Sequence, residues 1–355
     1  MKKLSFTFLV LILLLVITAC AQEQSEEQKT EASTVENNTN ILGDYEELSI
    51  TFSHNQPIGS PEDVGAEAFK SYVEEKSGGK ITVDIFPASQ LGSLREQVES
   101  TQIGEINITM QPASVITPFV DDIKIVDLPY LLPTETEKMY QVLDGEVGQE
   151  ILGTLEQGGF KGLGYWPGGY KLISTKDAEI HSPSDLEGLK IRVMESPLLI
   201  SQYEAWGASA IPMAYAEVYN GLQQGIVDGQ ENPLQTIYLN NYHEVQGFVM
   251  DTKHGAMTYI LMANQSWFEG LSEDTQKLIL EAEEHGRTEA RNNLVATEEE
   301  YRQNIIDSGT VYYELTDEEI AVFKNVSEAT YSELYGAGNQ PELLEKFKQV
   351  INELN

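Results

Sequence analysis

The chain has 355 residues, and its 22 Lys and Arg against 57 Asp and Glu give a formal net charge of −35 at pH 7. This balance argues against nucleic acid or an anionic membrane surface as partners, because both attract basic proteins. The length provides one large domain or two lobes with full hydrophobic cores, and the single cysteine excludes an intramolecular disulfide.

The first twenty residues are typical of a secretory signal. Lys2 and Lys3 precede an apolar run over residues 6–17. That run is shorter than the about 20 apolar residues that a transmembrane helix needs, so it indicates the core of a signal peptide. It ends in residues 17–20 (ITAC), which resemble a bacterial lipobox, where a cysteine becomes the lipidated N-terminus. A plain signal peptide with an incidental cysteine is the alternative.

We therefore predict a signal peptide over residues 1–19, a lipidated Cys20 and a disordered linker over residues 20–47. Residues 21–40 contain few apolar side chains and cannot bury enough surface to fold. A lipoprotein cysteine usually carries at least two acyl chains, which suffice for stable anchoring. The predicted location is extracytoplasmic, with the protein held by its lipid to the bacterial cell membrane.

The folded body begins with alternating strands and helices. Residues 48–53 and 81–85 alternate between apolar and polar side chains, which predicts strands, and residues 106–110 predict a third. Between them, Ser60 followed by proline predicts one helix start, and a capping box beginning at Ser93 predicts another. The β-α-β-α-β order predicts a mostly parallel sheet with helices on both faces.

The same pattern repeats further along the chain. Strands are predicted over residues 189–193, 208–211 and 226–229, with helices that begin at Pro197 and Pro212. Two α/β cores in series indicate two lobes with a cleft between them.

The last third of the chain is predicted to be helical. Residues 273–307 contain no proline and a single glycine, so we expect one helix far longer than the usual length of about 11–12 residues. A capping box at Thr316 begins another helix. Residues 341–354 carry an apolar stripe at helical spacing, which we attribute to packing.

Motifs for catalysis and metal binding are missing from the sequence. It contains no G-x-S-x-G nucleophile elbow, no phosphate-binding loop and no dinucleotide fingerprint. No two histidines have the i, i+4 spacing of a zinc-binding helix; they are His54, His181, His243, His254 and His285. We therefore predict no enzyme activity, no bound metal and no cofactor.

Arg192 is the strongest candidate for binding a ligand. It lies near the end of a predicted strand that leads into a helix beginning at Ser196 and Pro197, and open α/β sheets bind ligands at such strand ends. A guanidinium matches a carboxylate with two parallel hydrogen bonds, and helix amides also attract anions. The alternative is a structural arginine paired with one of the many acids, and spacing alone does not separate the two.

Three segments carry a specific combination of motifs: residues 188–193 (GLKIRV), 211–219 (IPMAYAEVY) and 225–233 (GIVDGQENP). Together they resemble the extracytoplasmic solute-binding proteins of tripartite ATP-independent periplasmic (TRAP) transporters, in the C4-dicarboxylate branch. Residues 86–92 (FPASQLG) and 119–132 (FVDDIKIVDLPYLL) also fit this family. The similarity extends through most of the folded body.

The resemblance implies a two-lobe α/β fold of the periplasmic-binding-protein type, with a ligand cleft between the lobes and a long helix that spans both. In the family, the arginine of the first motif grips the carboxylate of an organic acid, and here that residue is Arg192. The asparagine of DGQENP adds a hydrogen bond to the same group, which implies Asn232. The aromatic residue after PMA lines the pocket, which implies Tyr215.

Other positions match the family less closely. Many members carry a second arginine after an aromatic, glycine-rich loop, whereas this chain has Lys171 there, preceded by Trp166. Lysine is a point charge and not a fork, so this is a departure from the family. The loop with His54 and Asn55 matches the loop that reaches the ligand, although His54 is equally compatible with a satisfied core or surface histidine. Glu195 completes the predicted set of ligand-binding residues.

The resemblance also implies where the chain crosses between lobes. We expect lobe I over residues 48–169 plus 258–297, and lobe II over residues 170–257 plus 298–355. The expected partners are a small organic acid and the membrane subunits of a TRAP transporter.

The favoured function is therefore that of a lipid-anchored protein that delivers an organic acid to such a transporter. C4-dicarboxylates such as malate or succinate fit the family, and uronic or aldonic acids fit at least as well. The polar side chains of His54, Asn55 and Gln56 favour a polyhydroxylated sugar acid. An extracellular enzyme acting on acidic sugars and a sensor lipoprotein are the alternatives, and the fold alone does not separate them.

Overall fold

The computed structural model of the protein describes residues 45–336 and 340–354. The predicted signal peptide and the lipidated Cys20 lie outside the described residues, as does nearly all of the predicted linker. Within the described ranges, no helix is both long and apolar enough to cross a membrane.

Strands and helices alternate along most of the described chain. The strands are β1 (Leu48–His54), β2 (Ile81–Phe86), β3 (Ile108–Pro112), β4 (Phe160–Trp166), β5 (Lys171–Thr175), β6 (Lys190–Val193), β7 (Ser209–Pro212), β8 (Gly229–Pro233), β9 (Phe248–Asp251), β10 (Tyr259–Asn264) and β11 (Val311–Glu314). The helices are α1 (Pro61–Lys76), α2 (Leu94–Gln102), α3 (Ala113–Ile116), α4 (Thr136–Asp144), α5 (Glu146–Gly153), α6 (Pro197–Ala205), α7 (Val218–Gln223), α8 (Leu234–Leu239), α9 (Gln265–Glu269), α10 (Glu273–Asp307), α11 (Asp317–Leu334) and α12 (Pro341–Leu354). Short 3₁₀ helices occupy Asp121–Asp127, Thr154–Gly158, Pro183–Leu186, Tyr215–Glu217 and Tyr242–Glu244.

The described strands form two mixed sheets. The first has the order β2-β1-β3-β10-β4 and the second has the order β11-β9-β5-β8-β6-β7. In the first sheet β1 is parallel to β2 and β3, whereas β10 is antiparallel to β3 and β4. In the second sheet β6 is parallel to β7 and β8, while β5 is antiparallel to β8 and β9. The predicted two-lobe α/β fold is confirmed. Each sheet is mostly parallel, as predicted, and is mixed because one strand runs against the others: β10 in the first sheet and β5 in the second.

The antiparallel strand β10 accounts for the mixed first sheet. Its six residues are all buried, because it lies between two other strands of the sheet. A short apolar run without alternation does not distinguish a strand from a helix, so the sequence analysis did not find β10.

Local sequence signals fix the starts of several helices. The Ser60 hydroxyl accepts a hydrogen bond from the Asp63 amide at 3.1 Å, and Pro61 occupies the first turn of α1, where an amide has no intrahelical partner. The capping boxes predicted at Ser93 and Thr316 are both present, at the starts of α2 and α11.

Helix α10 connects the two halves of the fold. It runs for 35 residues from its N-cap Ser272, which confirms the predicted long helix. It packs against α1 and β4 beside the first sheet, and against α8 and β11 beside the second. Gly65 of α1 and Gly286 of α10 allow the two backbones to approach closely, since a Cβ on Gly65 would lie 2.6 Å from the Gly286 carbonyl oxygen.

The structure differs from the sequence prediction in the connection between β7 and β8. Pro212 ends β7 and does not start a helix, and α7 begins only at Val218. Ile226 is 52% exposed in the connecting bend, so β8 begins later than predicted, at Gly229. A Cβ at Gly229 would lie 2.3 Å from the Ser174 carbonyl oxygen of β5, so the close approach of these strands requires glycine.

The strands of the first sheet lie in the range expected for lobe I, and those of the second sheet lie in the range expected for lobe II. Helix α12, which the sequence groups with lobe II, packs against α4 and α5 in the range of lobe I. The limits of the two lobes therefore stay a prediction.

Candidate functional site

Arg192 lies on β6 and is only 1% exposed. Its Nε and Nη2 atoms both donate to the carbonyl oxygen of Met213, at 3.1 and 2.9 Å. Burial lowers the pKa of Arg192 below its usual value, while nearby Tyr242 and Glu231 oppose that shift. Because the usual value is far above neutral, the guanidinium keeps its charge.

The guanidinium borders a small cavity between the two sheets. The cavity measures about 10 Å³, which is roughly the space that one water needs. Its walls come from α2 and α3 on one side and from β6 and the turn after β7 on the other; they are Ser93, Leu94, Val115, Arg192, Met194, Glu195, Met213, Ala214 and Tyr215.

One edge of the Arg192 guanidinium remains available to a ligand. Nε and Nη2 form the edge that binds Met213, and the end edge between Nη1 and Nη2 still carries N–H groups. Nη1 makes no hydrogen bond to any described residue. An edge with two parallel N–H groups fits a carboxylate with two hydrogen bonds.

A chain of neutral polar side chains runs across the space between the sheets. The Gln56 amide donates to the Tyr259 hydroxyl, both on the side of the first sheet. The Tyr215 hydroxyl, on the side of the second sheet, donates to Gln56 Oε1 at 3.5 Å and accepts from Asn240 Nδ2 at 2.8 Å. Asn55 also lies close enough to lower the pKa of Tyr259 by hydrogen bonding, although burial dominates and raises it.

Asn232 lies on β8, next to the strand that carries Arg192. Arg192 and Gln230 are direct partners in the parallel pair of β6 and β8. Side chains two residues apart on a strand share a face of the sheet, so Asn232 lies on the same face as this pair. The buried Asn232 amide donates to Gln230 Oε1.

Lys171 lies in a buried network of charges. Its Nζ atom is 2.7 Å from Asp127 Oδ1 and 3.5 Å from Glu231 Oε1. Burial alone lowers the pKa of Lys171, but the two carboxylates together raise it above its ordinary value. Glu231 Oε2 in turn accepts from His254 Nε2 at 2.7 Å and from the Tyr203 hydroxyl at 3.0 Å.

This network also determines the charge of Glu231. Burial raises the pKa of the Glu231 carboxyl, but Lys171 and His254 outweigh it and lower the pKa to about 2. Glu231 is therefore fully ionised at neutral pH, directly beside Asn232 in the sequence. Through Glu231 the network holds β8, the strand that also carries Asn232.

Trp166 and His54 have buried partners outside the cavity beside Arg192. The Trp166 indole donates to Glu283 Oε1 at 3.0 Å, where α1 crosses α10. His54 Nε2 lies 3.3 Å from Asp63 Oδ1 at the start of α1. Of the eight predicted ligand-binding residues, the cavity is lined by three; they are Arg192, Glu195 and Tyr215.

Glu62, which the sequence analysis did not single out, is a buried carboxylate between the two halves. It lies in the first turn of α1, and burial raises its pKa to about 7, although its own amide, Ser60 and Gln235 of α8 oppose the shift. Neither carboxylate oxygen makes a well-aligned hydrogen bond to a described residue. An acid in a first helical turn is usually solvated, so no sequence signal marks this burial.

No metal site is found in the part of the chain that the structure describes, since no group of three or more His, Cys, Asp or Glu side chains is placed to hold an ion.

Solute-binding proteins of known structure share this two-lobe α/β fold. The family model for bacterial extracellular solute-binding protein, family 7, matches residues 22–337. This chain belongs to that family, which confirms the resemblance to the TRAP solute-binding proteins found in the sequence.

Two curated relatives cover most of the chain. The C4-dicarboxylate-binding periplasmic protein of Rhodobacter capsulatus is 32% identical over 291 residues, which are 81% of this chain and 87% of the relative. The ectoine-binding periplasmic protein of Halomonas elongata is 34% identical over 305 residues, which are 84% of this chain and 88% of the relative.

Solved structures of TRAP periplasmic solute-binding proteins share the fold. One from Sulfurospirillum deleyianum, with bound succinate, has a TM-score of 0.80 and 31% identity, covering 86% of this chain and 99% of its own. One from Anaerococcus prevotii, with bound glucuronate, has a TM-score of 0.80 and 30% identity, covering 87% of this chain and 98% of its own.

Proposed function

We propose that this protein captures an organic acid in the cavity beside Arg192 and delivers it to the membrane subunits of a TRAP transporter. The observation that carries the proposal is the orientation of the guanidinium. Met213 holds one edge of it, and the end edge is left with N–H groups for a carboxylate. The carboxylate would bridge this edge, with Asn232 as the second donor that the family resemblance implies.

The chemistry of the surrounding groups supports a sugar acid as the ligand. Gln56, Tyr215, Tyr259 and Asn240 offer neutral donors and acceptors in the space between the sheets. Such groups pair with hydroxyls, and they discriminate strongly because an unpaired buried polar group is costly. C4-dicarboxylates are the other class named by relatives, which include both a succinate and a glucuronate complex.

We further propose that lipid on Cys20 anchors the protein outside the cytoplasmic membrane. The support is the sequence of residues 17–20, with the only cysteine of the chain at the cleavage point. Cys20→Ala should release the protein into the medium or leave its signal peptide uncleaved. A variant that stays bound to the membrane and is trimmed normally would overturn the anchor.

The function is tested by mass spectrometry of whatever acid co-purifies, followed by calorimetry with that acid and a panel of organic acids. Arg192→Ala removes the guanidinium that would pair with the buried ligand carboxylate. The binding free energy should weaken by about 2–5 kcal/mol, or roughly 30- to 5,000-fold in affinity. Arg192→Lys should restore binding only in part, because an ammonium cannot make the paired contact.

Arg95→Ala is the matched control, since Arg95 is a surface arginine on α2 that pairs with Glu99 at 2.8 Å. Its affinity should equal that of the wild type. Equal affinity of Arg192→Ala and wild type would overturn the proposed function, as would chemical conversion of the bound acid during long incubation.

A further inference from the structure

We propose that the site selects acids with a single carboxylate and an uncharged, hydroxyl-bearing remainder, and that it discriminates against dicarboxylates. This inference rests on the proposed function and specifies its ligand class. Of the positively charged side chains that the structure describes near the cavity, only Arg192 is available to pair with a ligand carboxylate, so a second carboxylate would have no partner.

The Lys171 ammonium is not available to bind a ligand carboxylate. It is 1% exposed and lies between Asp127 at 2.7 Å and Glu231 at 3.5 Å. A ligand carboxylate could reach Nζ only by separating these buried ion pairs, and breaking a buried pair is strongly unfavourable. At the position where many family members carry a second arginine, this chain therefore supplies no free charge.

No other cation in the described chain takes its place beside the cavity. Apart from Arg192 and Glu195, the residues that line it are uncharged. The nearest basic neighbour in sequence, Arg95, follows the cavity residue Leu94, but its side chain is 51% exposed and pairs with Glu99 at 2.8 Å. Glu195 is itself a carboxylate and repels a second anion.

The groups further along the space between the sheets are neutral or negative. Gln56, Tyr259 and Tyr215 bridge the two sheets with uncharged hydrogen-bonding atoms. Behind them lies Glu62, whose two buried carboxylate oxygens lack a well-aligned partner and whose charge raises the pKa of Tyr215 and Tyr259 further, in addition to their burial. Hydroxyls of a ligand can donate to these acceptors, whereas a second carboxylate would be buried without a counter-charge.

The test uses pairs of acids that match in chain length and differ in one carboxylate. Gluconate is compared with glucarate, and 4-hydroxybutyrate with succinate, by calorimetry at about pH 8, where all carboxylates are ionised. Within at least one pair the monocarboxylate should bind about 10-fold more tightly or better, since like-charge juxtaposition costs several kcal/mol. The co-purified acid should likewise carry one carboxylate.

Variants separate the contribution of Glu62 from that of Arg192. Glu62→Gln removes the buried charge while keeping the shape, so the ratio of affinities between monocarboxylate and dicarboxylate should shrink by about threefold or more. Glu67→Gln, at an exposed position of the same helix, is the control and should leave the ratio unchanged. Arg192→Ala should weaken both members of each pair.

The outcomes distinguish the two proposals. If dicarboxylates bind as well as or better than their partners, and Arg192→Ala weakens both, the proposed function holds and the charge selection is overturned. If no acid of the panel binds and no acid co-purifies, both are overturned. A dicarboxylate recovered from the purified protein also overturns the charge selection, whatever the affinities.

Discussion

His254 Nε2 lies 2.7 Å from Glu231 Oε2, and the opposite oxygen of the same carboxylate faces Lys171 Nζ at 3.5 Å. Glu231 thus connects the loop after β9 with the start of β5, at the residue that precedes Asn232. The carboxylate has no solvent exposure, so its charge is stabilised by these two neighbours and by the Tyr203 hydroxyl, which donates to Oε2 at 3.0 Å.

Glu231→Gln should destabilise the protein strongly. The change leaves Lys171 paired with Asp127, but it removes the charged acceptor of the His254 and Tyr203 hydrogen bonds, and hydrogen bonds to a charged group contribute about 1.5–3 kcal/mol each. The measurement is urea unfolding at neutral pH, with Glu187→Gln at an exposed position as the control. An unchanged unfolding midpoint would show that the network contributes nothing to stability.

Glu62→Gln should change how stability depends on pH. The pKa of Glu62 is raised from 4.5 to about 7 in the folded protein. Its stabilising contribution is therefore fully present below pH 4.5 and is lost as the pH rises through about 7. A difference of this size corresponds to ~3 kcal/mol.

The variant should gain free energy of unfolding relative to the wild type between about pH 4.5 and 8, because it has no charge to bury. Urea unfolding across this range measures the gain, and Glu67→Gln should run parallel to the wild type. A Glu62→Gln curve that also runs parallel would contradict the raised pKa.

Gly65→Ala should weaken the crossing of α1 and α10. The added methyl group would lie 2.6 Å from the Gly286 carbonyl oxygen and 2.6 Å from Trp166 Cζ3, so backbone must shift. Overpacking of this kind costs about 1–3 kcal/mol. Gly153→Ala, whose methyl group would meet nothing within 4 Å, is the control and should be neutral or slightly stabilising in thermal unfolding.

Ligand binding should involve movement of the lobes. The cavity of about 10 Å³ beside Arg192 holds about one water, so its walls must separate before an organic acid can enter. A ligand that contacts both walls stabilises the closed state by its differential affinity. Solution scattering should give a smaller radius of gyration with saturating ligand, and Arg192→Ala should lose this compaction. Superimposable curves despite tight binding would exclude a closing clamp.

The sequence predicted those parts of the fold that depend on local signals. Helix caps such as Ser60 and the proline-free run of α10 act through neighbours in the chain, so they are visible without a structure. The strand β10 was missed, because its six buried residues show none of the alternation that marks a strand. The helix predicted from Pro212 was wrong, because Pro212 pairs with Val193 as the last residue of β7.

In the candidate site, too, some residues could be predicted from local sequence and others could not. Arg192 could be predicted from its place at a strand end before a helix, together with the family motif. The partners of Lys171 could not, since Asp127 comes from a distant 3₁₀ helix and acids are abundant throughout the chain. The burial of Glu62 likewise results from packing between the two halves of the fold. An acidic residue in the first turn of a helix is usually exposed, so the sequence around Glu62 does not indicate that it is buried.

The placement of β10 between β3 and β4 has a consequence for the order in which the fold can form during synthesis. The first sheet cannot close when β4 leaves the ribosome, because the strand that joins β3 to β4 is still to be made. Pairings between distant parts of a chain form slowly. The first half therefore emerges before its sheet can be completed, and the sheet closes only after the residues of β10 have been made.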